Sequence, residues 1–337
     1  PVEALAALDW PVRSDDGTTP RKRLRALVRS GALVGHPGPA LFVYRIRLAA
    51  GRQATGVVGI MESAEFASPS VLRHEQTLVE TVRVRAAHLA DVGAQTGPVL
   101  LCADGAHRSW ELASELALGQ DPCVSIRSHG RVDELWVLTA DQSAALAESL
   151  SASGNACVVD GHHRAQATVE RGDDALVAVF PSTAFTVDAC ERVVRHLDDP
   201  RELVGRIGAA GLDVGPGTGA SPHPRHAELW DGAEWHDVCL GDAETGVSDA
   251  RLLQDRVIAP LLGIQDPARD ERLCCLPAMG DARELEEAVG AGAVGMRLAP
   301  ARMDDILAMA ASGTLMPPKT TWFEPKPLPG LFAHVLP

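Results

Sequence analysis

The segment Val158-Val159-Asp160-Gly161-His162-His163-Arg164 constrains the fold most, because it lies between an apolar, strand-like run at residues 156–159 and a stretch of helical spacing at 165–171. A strand that feeds a glycine turn and then a helix is one step of an α/β alternation. The preceding sequence repeats that step. Residues 40–49 and 54–61 read as neighbouring strands, 78–92 as a helix, 98–103 as a short buried strand and 109–118 as a helix. Residues 134–139 read as a strand, 140–151 as a helix, and 175–180 as a last strand stopped by Pro181. The predicted class is α/β with mixed α+β character.

After Pro181 the texture changes. Residues 189–197 and 201–208 are predicted helical, 211–224 form a Gly/Pro-rich loop, and 228–240 alternate like a hairpin. Helices follow at 248–261 and 282–289, then a strand at 295–298, a helix at 303–311 and a Pro/Lys-rich tail. The predicted organisation is an irregular N-terminal cover (1–38) with a short amphipathic helix over 21–30, an α/β core (39–183), and a second α+β subdomain (184–337) that ends in the tail. A chain of 337 residues can bury two such cores without a disulfide or metal staple.

A formal charge of -14 argues against a broad nucleic-acid or anionic-membrane surface, which needs clustered Lys and Arg. The seven cysteines are dispersed, with no Cys-x-x-Cys spacing for zinc or a redox pair, and read as reduced thiols, mostly small core residues. No leader-like start and no run approaching the ~20 apolar residues of a membrane span is evident, so a soluble cytoplasmic protein is expected. Gly290-x-Gly292-x-x-Gly295 spells the dinucleotide-binding pattern but follows a predicted helix, whereas pyrophosphate binding needs a strand before it and a helix start after it. Gly215, Gly217 and Gly219 lack the Gly-Lys-Ser/Thr ending of a P-loop.

Three segments carry chemistry. At Asp160 to Arg164 the backbone N–H groups of a helix start can face an anion, Arg164 can clamp a phosphate, and His162 and His163 can donate hydrogen bonds to its oxygens. Asp160 would cap the helix or hold a divalent cation; the ordinary alternative is an N-cap followed by surface histidines. In Arg73-His74-Glu75-Gln76-Thr77, Glu75 could act as a general base while His74 or Thr77 contacts phosphate, against the ordinary alternative of helix capping. In Met316-Pro317-Pro318-Lys319-Thr320-Thr321-Trp322-Phe323, Lys319 and the hydroxyls could reach a phosphate from a Pro-fixed turn, or form no more than a rigid surface turn.

The order and spacing of these segments resemble the bacterial and archaeal DUF1015 family, with its His-Glu-x-Thr, Asp-Gly-His-His-Arg and Pro-Pro-Lys-Ser-Thr-x-Phe segments and a closing Pro-Lys. Here they stand as His74-Glu75-Gln76-Thr77, Asp160 to Arg164, and Pro317 to Phe323 with Pro325-Lys326. Pro39 to Tyr44 and Leu262-Gly263-Ile264 are weaker echoes. The family's Pro-Pro-Tyr-Asp segment is replaced by Asp9-Trp10-Pro11, the acid expected before Arg85 is Val84, and Thr320 stands where the family has Ser.

The Asp-Gly-His-His-Arg turn also resembles the phosphate-binding turn of the ParB/sulfiredoxin-like fold, which includes free-serine kinases that make O-phosphoserine. The resemblance implies a ParB/sulfiredoxin-like core and a small-molecule kinase using ATP or ADP, with pyrophosphate as a further donor, and Mg²⁺. The acceptor would be a hydroxyl of serine or a related metabolite. Gly161, His162, His163 and Arg164 would hold phosphate and Glu75 would be the base. Asp160 would place the metal, and His74, Thr77, Lys319 and Thr320 would contact the nucleotide. The rival readings are a phosphohydrolase with the same cradle and a nucleotide-responsive regulatory protein. Expected partners are the nucleotide and a small hydroxyl compound, with no nucleic acid or membrane and a homodimer as the candidate assembly.

Overall fold

The computed structural model describes residues 19–128, 130–242, 247–267, 269–277 and 280–337. The chain forms two compact units: the chain up to Arg73 together with Thr77–Thr186 and Pro325–Pro337, and His74–Gln76 together with Val187–Glu324. Each combines sheet and helix, the mixed α/β class predicted from the sequence.

The first unit contains β1 (Phe42–Arg47), β2 (Gln53–Met61), β3 (Val71–Arg73), β4 (Ala94–Gln95), β5 (Val99–Ala103), β6 (Val124–Ser128), β7 (Arg131–Val137), β8 (Ala156–Asp160) and β9 (Ala175–Pro181). Eight of these form one sheet in the order β3–β8–β5–β9–β2–β1–β7–β6. Pairing is parallel at β3–β8 and β5–β9 and antiparallel elsewhere. All of β5, and β9 up to Pro181, is buried, which is why both read as unbroken apolar runs: such strands are covered on both faces.

On one face Val43, Val57, Leu101, Val158 and Val179 pack with Ala113, Leu146 and Ala165 of the helices His107–Ala117, Ala140–Ser151 and His162–Arg171. Because side chains alternate along a strand, Tyr44 and Phe180 point to the other face. There the Tyr44 ring meets Phe180 and Phe332 edge-on, at centroid distances of 5.8 and 5.7 Å. Gly56 stands opposite Tyr44 in register. A Cβ at Gly56 would lie 2.6 Å from the Phe180 ring and collide with the Val179 carbonyl oxygen, so the aromatic packing requires glycine here.

The second unit contains β10 (Thr186–Ala189), β11 (Glu191–Val194), β12 (Val214–Pro216), β13 (His226–Trp230), β14 (Trp235–Cys239), β15 (Leu273–Leu276), β16 (Val294–Leu298) and β17 (Thr321–Glu324). Six of them form an antiparallel sheet in the order β12–β14–β13–β16–β11–β15, and β10 pairs with β17. Val194, Leu229, Met296 and Leu298 pack on one face with Leu203 and Ile207 of the helix Pro200–Ala209 and with Leu253 and Ile258. Val193 and Trp230 pack on the other with Leu285 of the helix Ala282–Ala288.

Residues 189–197, predicted helical, instead form the end of β10 and all of β11. Glu191 and Arg192 are buried charges in a strand paired on both sides, and they mask the apolar alternation that would mark it. Strands β3, β6 and β15 were not predicted; β6 lies at the sheet edge with a half-exposed polar sequence, and β3 has three residues. The tail predicted only as Pro/Lys-rich contains β17 and β18 (His334–Val335), which pairs with β4 in the first unit. Gly295 lies inside β16 rather than opening a helix, so the Gly290 to Gly295 pattern has no anion-binding geometry. Up to residue 18 the predicted N-terminal cover, with Asp9-Trp10-Pro11, lies outside the described residues; Pro20–Arg29 is a helix capped by Thr19.

Gly56→Ala is expected to destabilise the chain by about 1–3 kcal/mol, the usual range for overpacking. A denaturant midpoint equal to that of the unsubstituted chain would refute the required close approach.

Candidate functional site

Strand β8 ends at Asp160, and Gly161 follows with φ 91° and ψ 26°, a left-handed conformation that glycine adopts without steric cost. The helix His162–Arg171 begins at the next residue, so His162, His163 and Arg164 are its first turn and not the exit turn predicted for residues 161–164. First-turn N–H groups have no acceptor within their own helix. No side chain caps this helix, and its first turn holds no acidic residue. The result is a positive helix end aimed away from the strand. A Cβ at Gly161 would lie 3.0 Å from Arg164 Nε, so glycine also lets the guanidinium fold back over the turn.

That guanidinium is held by Asp160. Arg164 Nη2 donates to Asp160 Oδ2 at 3.2 Å, and Lys326 Nζ donates to Asp160 Oδ1 at 2.8 Å. Two cations thus share one carboxylate, with side chains only 20–29% exposed, where screening is weaker than at an open surface. Lys326 was not among the predicted site residues, although its Pro325-Lys326 signature was read. Its backbone is fixed from the opposite face of the sheet. Arg131 Nη2 donates to the Lys326 carbonyl at 2.7 Å, and the Leu328 N–H donates to Tyr44 Oη at 2.9 Å. Tyr44 in turn donates to Asp133, which Arg131 grips with Nε and Nη2 at 2.8 and 2.7 Å. Burial and the Asp133 carboxylate push the Tyr44 phenol well above its ordinary range.

Both histidines are buried, against the surface placement that was one reading of the sequence. His163 Nε2 accepts from the Leu78 N–H at 3.0 Å. As an acceptor that nitrogen carries no proton, so it cannot donate to a phosphate. Leu78 is the N-cap of the helix Val79–Val92, which also has no side-chain cap, so the imidazole fastens two helix starts together. Thr77 is half-buried and does not cap it. Arg73, at the end of β3, reaches Gln166, and burial lowers its pKa. A cleft beside Arg164, lined also by Arg85 and His88, has a volume of about 10 Å³. That is room for one water and no nucleotide.

The other two motifs meet within the second unit. Met316 N–H donates to the His74 carbonyl at 2.8 Å and Gln76 N–H to the Met316 carbonyl at 3.1 Å, a parallel bridge centred on Glu75. His74 is fully buried, 3.1 Å from Thr321 Oγ1 and edge-on to Phe323. Buried Glu75 accepts the Thr320 N–H at 3.2 Å on Oε2. The Thr320 hydroxyl donates to the Pro317 carbonyl at 2.7 Å, so it shapes the turn instead of presenting itself to a nucleotide. Lys319 has φ 58° and is exposed, a strained left-handed residue held by its buried neighbours.

Arg192, hidden from the sequence reading by the helix assigned there, lies 3.5 Å from Thr320 Oγ1. Burial pushes the Cys190 thiol up to about 12, and that thiol also feels the charges of Arg192, Glu75 and Lys319. The second unit therefore gathers one buried carboxylate and two cations around a pair of thiols, Cys190 and Cys275.

Asp160 was predicted to hold the metal. Both its oxygens already bond cations, and among the described residues no group of three or more His, Cys, Asp or Glu could hold a metal ion. These residues do not build a resident cation site.

The profile of the DUF1015 family, described as a protein of unknown function, matches residues 11–229. The chain belongs to that family. No curated protein matches it. Solved structures that resemble it include a conserved hypothetical protein from Pyrococcus furiosus, 15% identical, with TM-score 0.44 over 82% of this chain and 92% of that one. SbnI with a C-terminal truncation, from Staphylococcus aureus, is 14% identical, with TM-score 0.46 over 79% of this chain and 82% of its own. A mutant free serine kinase in complex with ADP is 16% identical, with TM-score 0.44 over 79% of this chain and 87% of that one. At this similarity none of them transfers a substrate to this DUF1015 chain.

Asp160→Asn is expected to cost about 1 kcal/mol, as for partly exposed ion pairs. It should also strengthen binding of inorganic phosphate several-fold, because two cations lose their counter-charge. Calorimetric titration with phosphate that finds equal or weaker binding would show that Asp160 does not set the charge of the turn. At pH 8, iodoacetamide should label the exposed Cys123 roughly tenfold or more faster than Cys190, since only thiolate reacts. Peptide mass spectrometry showing equal rates would contradict the buried thiol.

Proposed function

We propose that the chain is a nucleotide-dependent kinase that transfers a phosphoryl group to the hydroxyl of a small metabolite, serine or a relative of it. One observation carries this reading: an uncapped helix start, entered through a left-handed glycine, with Arg164 and Lys326 held beside it by a single carboxylate. Phosphoryl transfer asks a protein mainly for positioning and charge neutralisation. The N–H groups of the first turn and the two cations supply both for the phosphates of ATP or ADP.

Glu75 is the proposed base. It is a buried carboxylate oriented by the Thr320 N–H, and it stands within electrostatic reach of the thiol that also feels Lys319. The acceptor hydroxyl would pass its proton to Glu75 as its oxygen bonds the terminal phosphorus and the P–O bond to the donor breaks, releasing ADP from ATP or AMP from ADP, while Lys319 offsets charge on the transferred group. Mg²⁺ would enter with the nucleotide, since this ion commonly binds through phosphates and keeps several waters.

Incubation with ATP, ADP or pyrophosphate and L-serine, followed by phosphorus NMR, tests the reading; O-phosphoserine is the expected product. Free phosphate alone would establish a phosphohydrolase, and tight nucleotide binding without turnover a regulatory protein. Arg164→Ala should weaken nucleotide binding about tenfold, the value of one charge-assisted contact. Glu75→Gln should keep binding and lower turnover at least about a hundredfold. Full activity in Glu75→Gln would remove the base assignment.

A further inference from the structure

Glu191 and Arg192 are neighbours on β11, so they point to opposite faces of the six-stranded sheet. Arg192 belongs with Thr320 and the charged groups around Cys190. Glu191 faces the other way, into a cavity of about 250 Å³ lined by Asp188, Glu191, Ser221, Arg297, Leu298 and Pro300. The proposed transfer chemistry uses none of these residues.

The floor of this cavity is charged and preorganised. Arg297 Nε donates to Glu191 Oε1 at 3.1 Å, and the two side chains are only 10% and 4% exposed. Burying both ions costs several kcal/mol each before their attraction is counted, and well-packed apolar residues often serve stability as well. Arg297 Nη1 also donates to the Gly219 carbonyl at 2.6 Å. Glu228, its cross-strand partner, accepts the N–H groups of Thr218 and Gly219 at 3.0 and 2.9 Å. The loop leading to Ser221 is thereby fastened to the sheet, and the cavity wall is formed without a ligand.

We infer that this cavity binds a small metabolite carrying a primary ammonium group. Glu191 and Arg297 offset each other's charge, so Asp188 leaves the lining net negative in a chain whose net charge is already -14, and a cation is favoured over a dianion. The volume lies below the roughly 300–1,000 Å³ of pockets for drug-sized ligands, which suits a small metabolite. The ammonium group sits against Asp188 at the rim, and the Glu191–Arg297 pair at the floor meets a hydroxyl or carboxylate at the ligand's other end.

Calorimetric titration of the full chain with ethanolamine, glycine and succinate tests this inference independently of any kinase activity. Ethanolamine or glycine should bind at one site and succinate should not. Asp188 and Ser221 are exposed at the rim, so their variants keep the fold. Asp188→Asn should weaken binding by about tenfold, and Ser221→Trp should abolish it by filling the mouth. Absence of binding by both ammonium compounds, preferential binding of succinate, or undiminished binding in Ser221→Trp would overturn the inference.

Discussion

The Asp160 carboxylate, held between the Arg164 guanidinium and the Lys326 ammonium, is the interaction on which the first unit's charged turn depends. A chain with a net charge of -14 repels anions at long range, so any phosphate site must be made locally. One carboxylate holding two cations fixes their positions and leaves a positive excess beside a helix end that is itself positive. Gly161 eases the arrangement, because it adopts φ 91° without strain and a Cβ there would press the guanidinium at 3.0 Å.

Lys326 reaches Asp160 because the segment carrying it is pinned by a buried polar network. Tyr44, the chain's single tyrosine, accepts the Leu328 N–H while donating to Asp133, and Arg131 ties the same carboxylate to the Lys326 carbonyl. Each member satisfies another, so the desolvation that would make an isolated buried charge costly is offset by hydrogen bonds. The packing of Phe180 and Phe332 on the tyrosine ring, and the glycine opposite it, serve the same end. A sheet core and the Asp160 turn are thus linked through the orientation of one phenol.

In the second unit Glu75 and Thr320 play the corresponding part, joining two motifs 245 residues apart in the chain. The backbone around them was harder to read in sequence. Residues 189–197 carried a helix-like spacing because Glu191 and Arg192 interrupt the apolar alternation, yet both are buried and paired in a central strand. The same two residues face opposite ways, so one short strand serves both the Glu75 cluster and the charged cavity. Local pattern cannot reveal a strand whose inward positions are ionic, because such positions are stable only once their partners arrive.

Sequence by itself determined the α/β class, the order of most strands and helices in the first unit, and the three chemically loaded segments, because apolar period and glycine placement are local properties. It also determined the likeness to DUF1015 through residues such as Asp160, His163 and Lys319. The use of each residue was decided only by tertiary structure. His163 became an acceptor for Leu78, Thr320 a turn fastener, Asp160 a holder of two cations and Lys326 the second of them. A side chain's protonation, direction and available lone pairs depend on neighbours distant in sequence, and those neighbours exist only after the chain has folded.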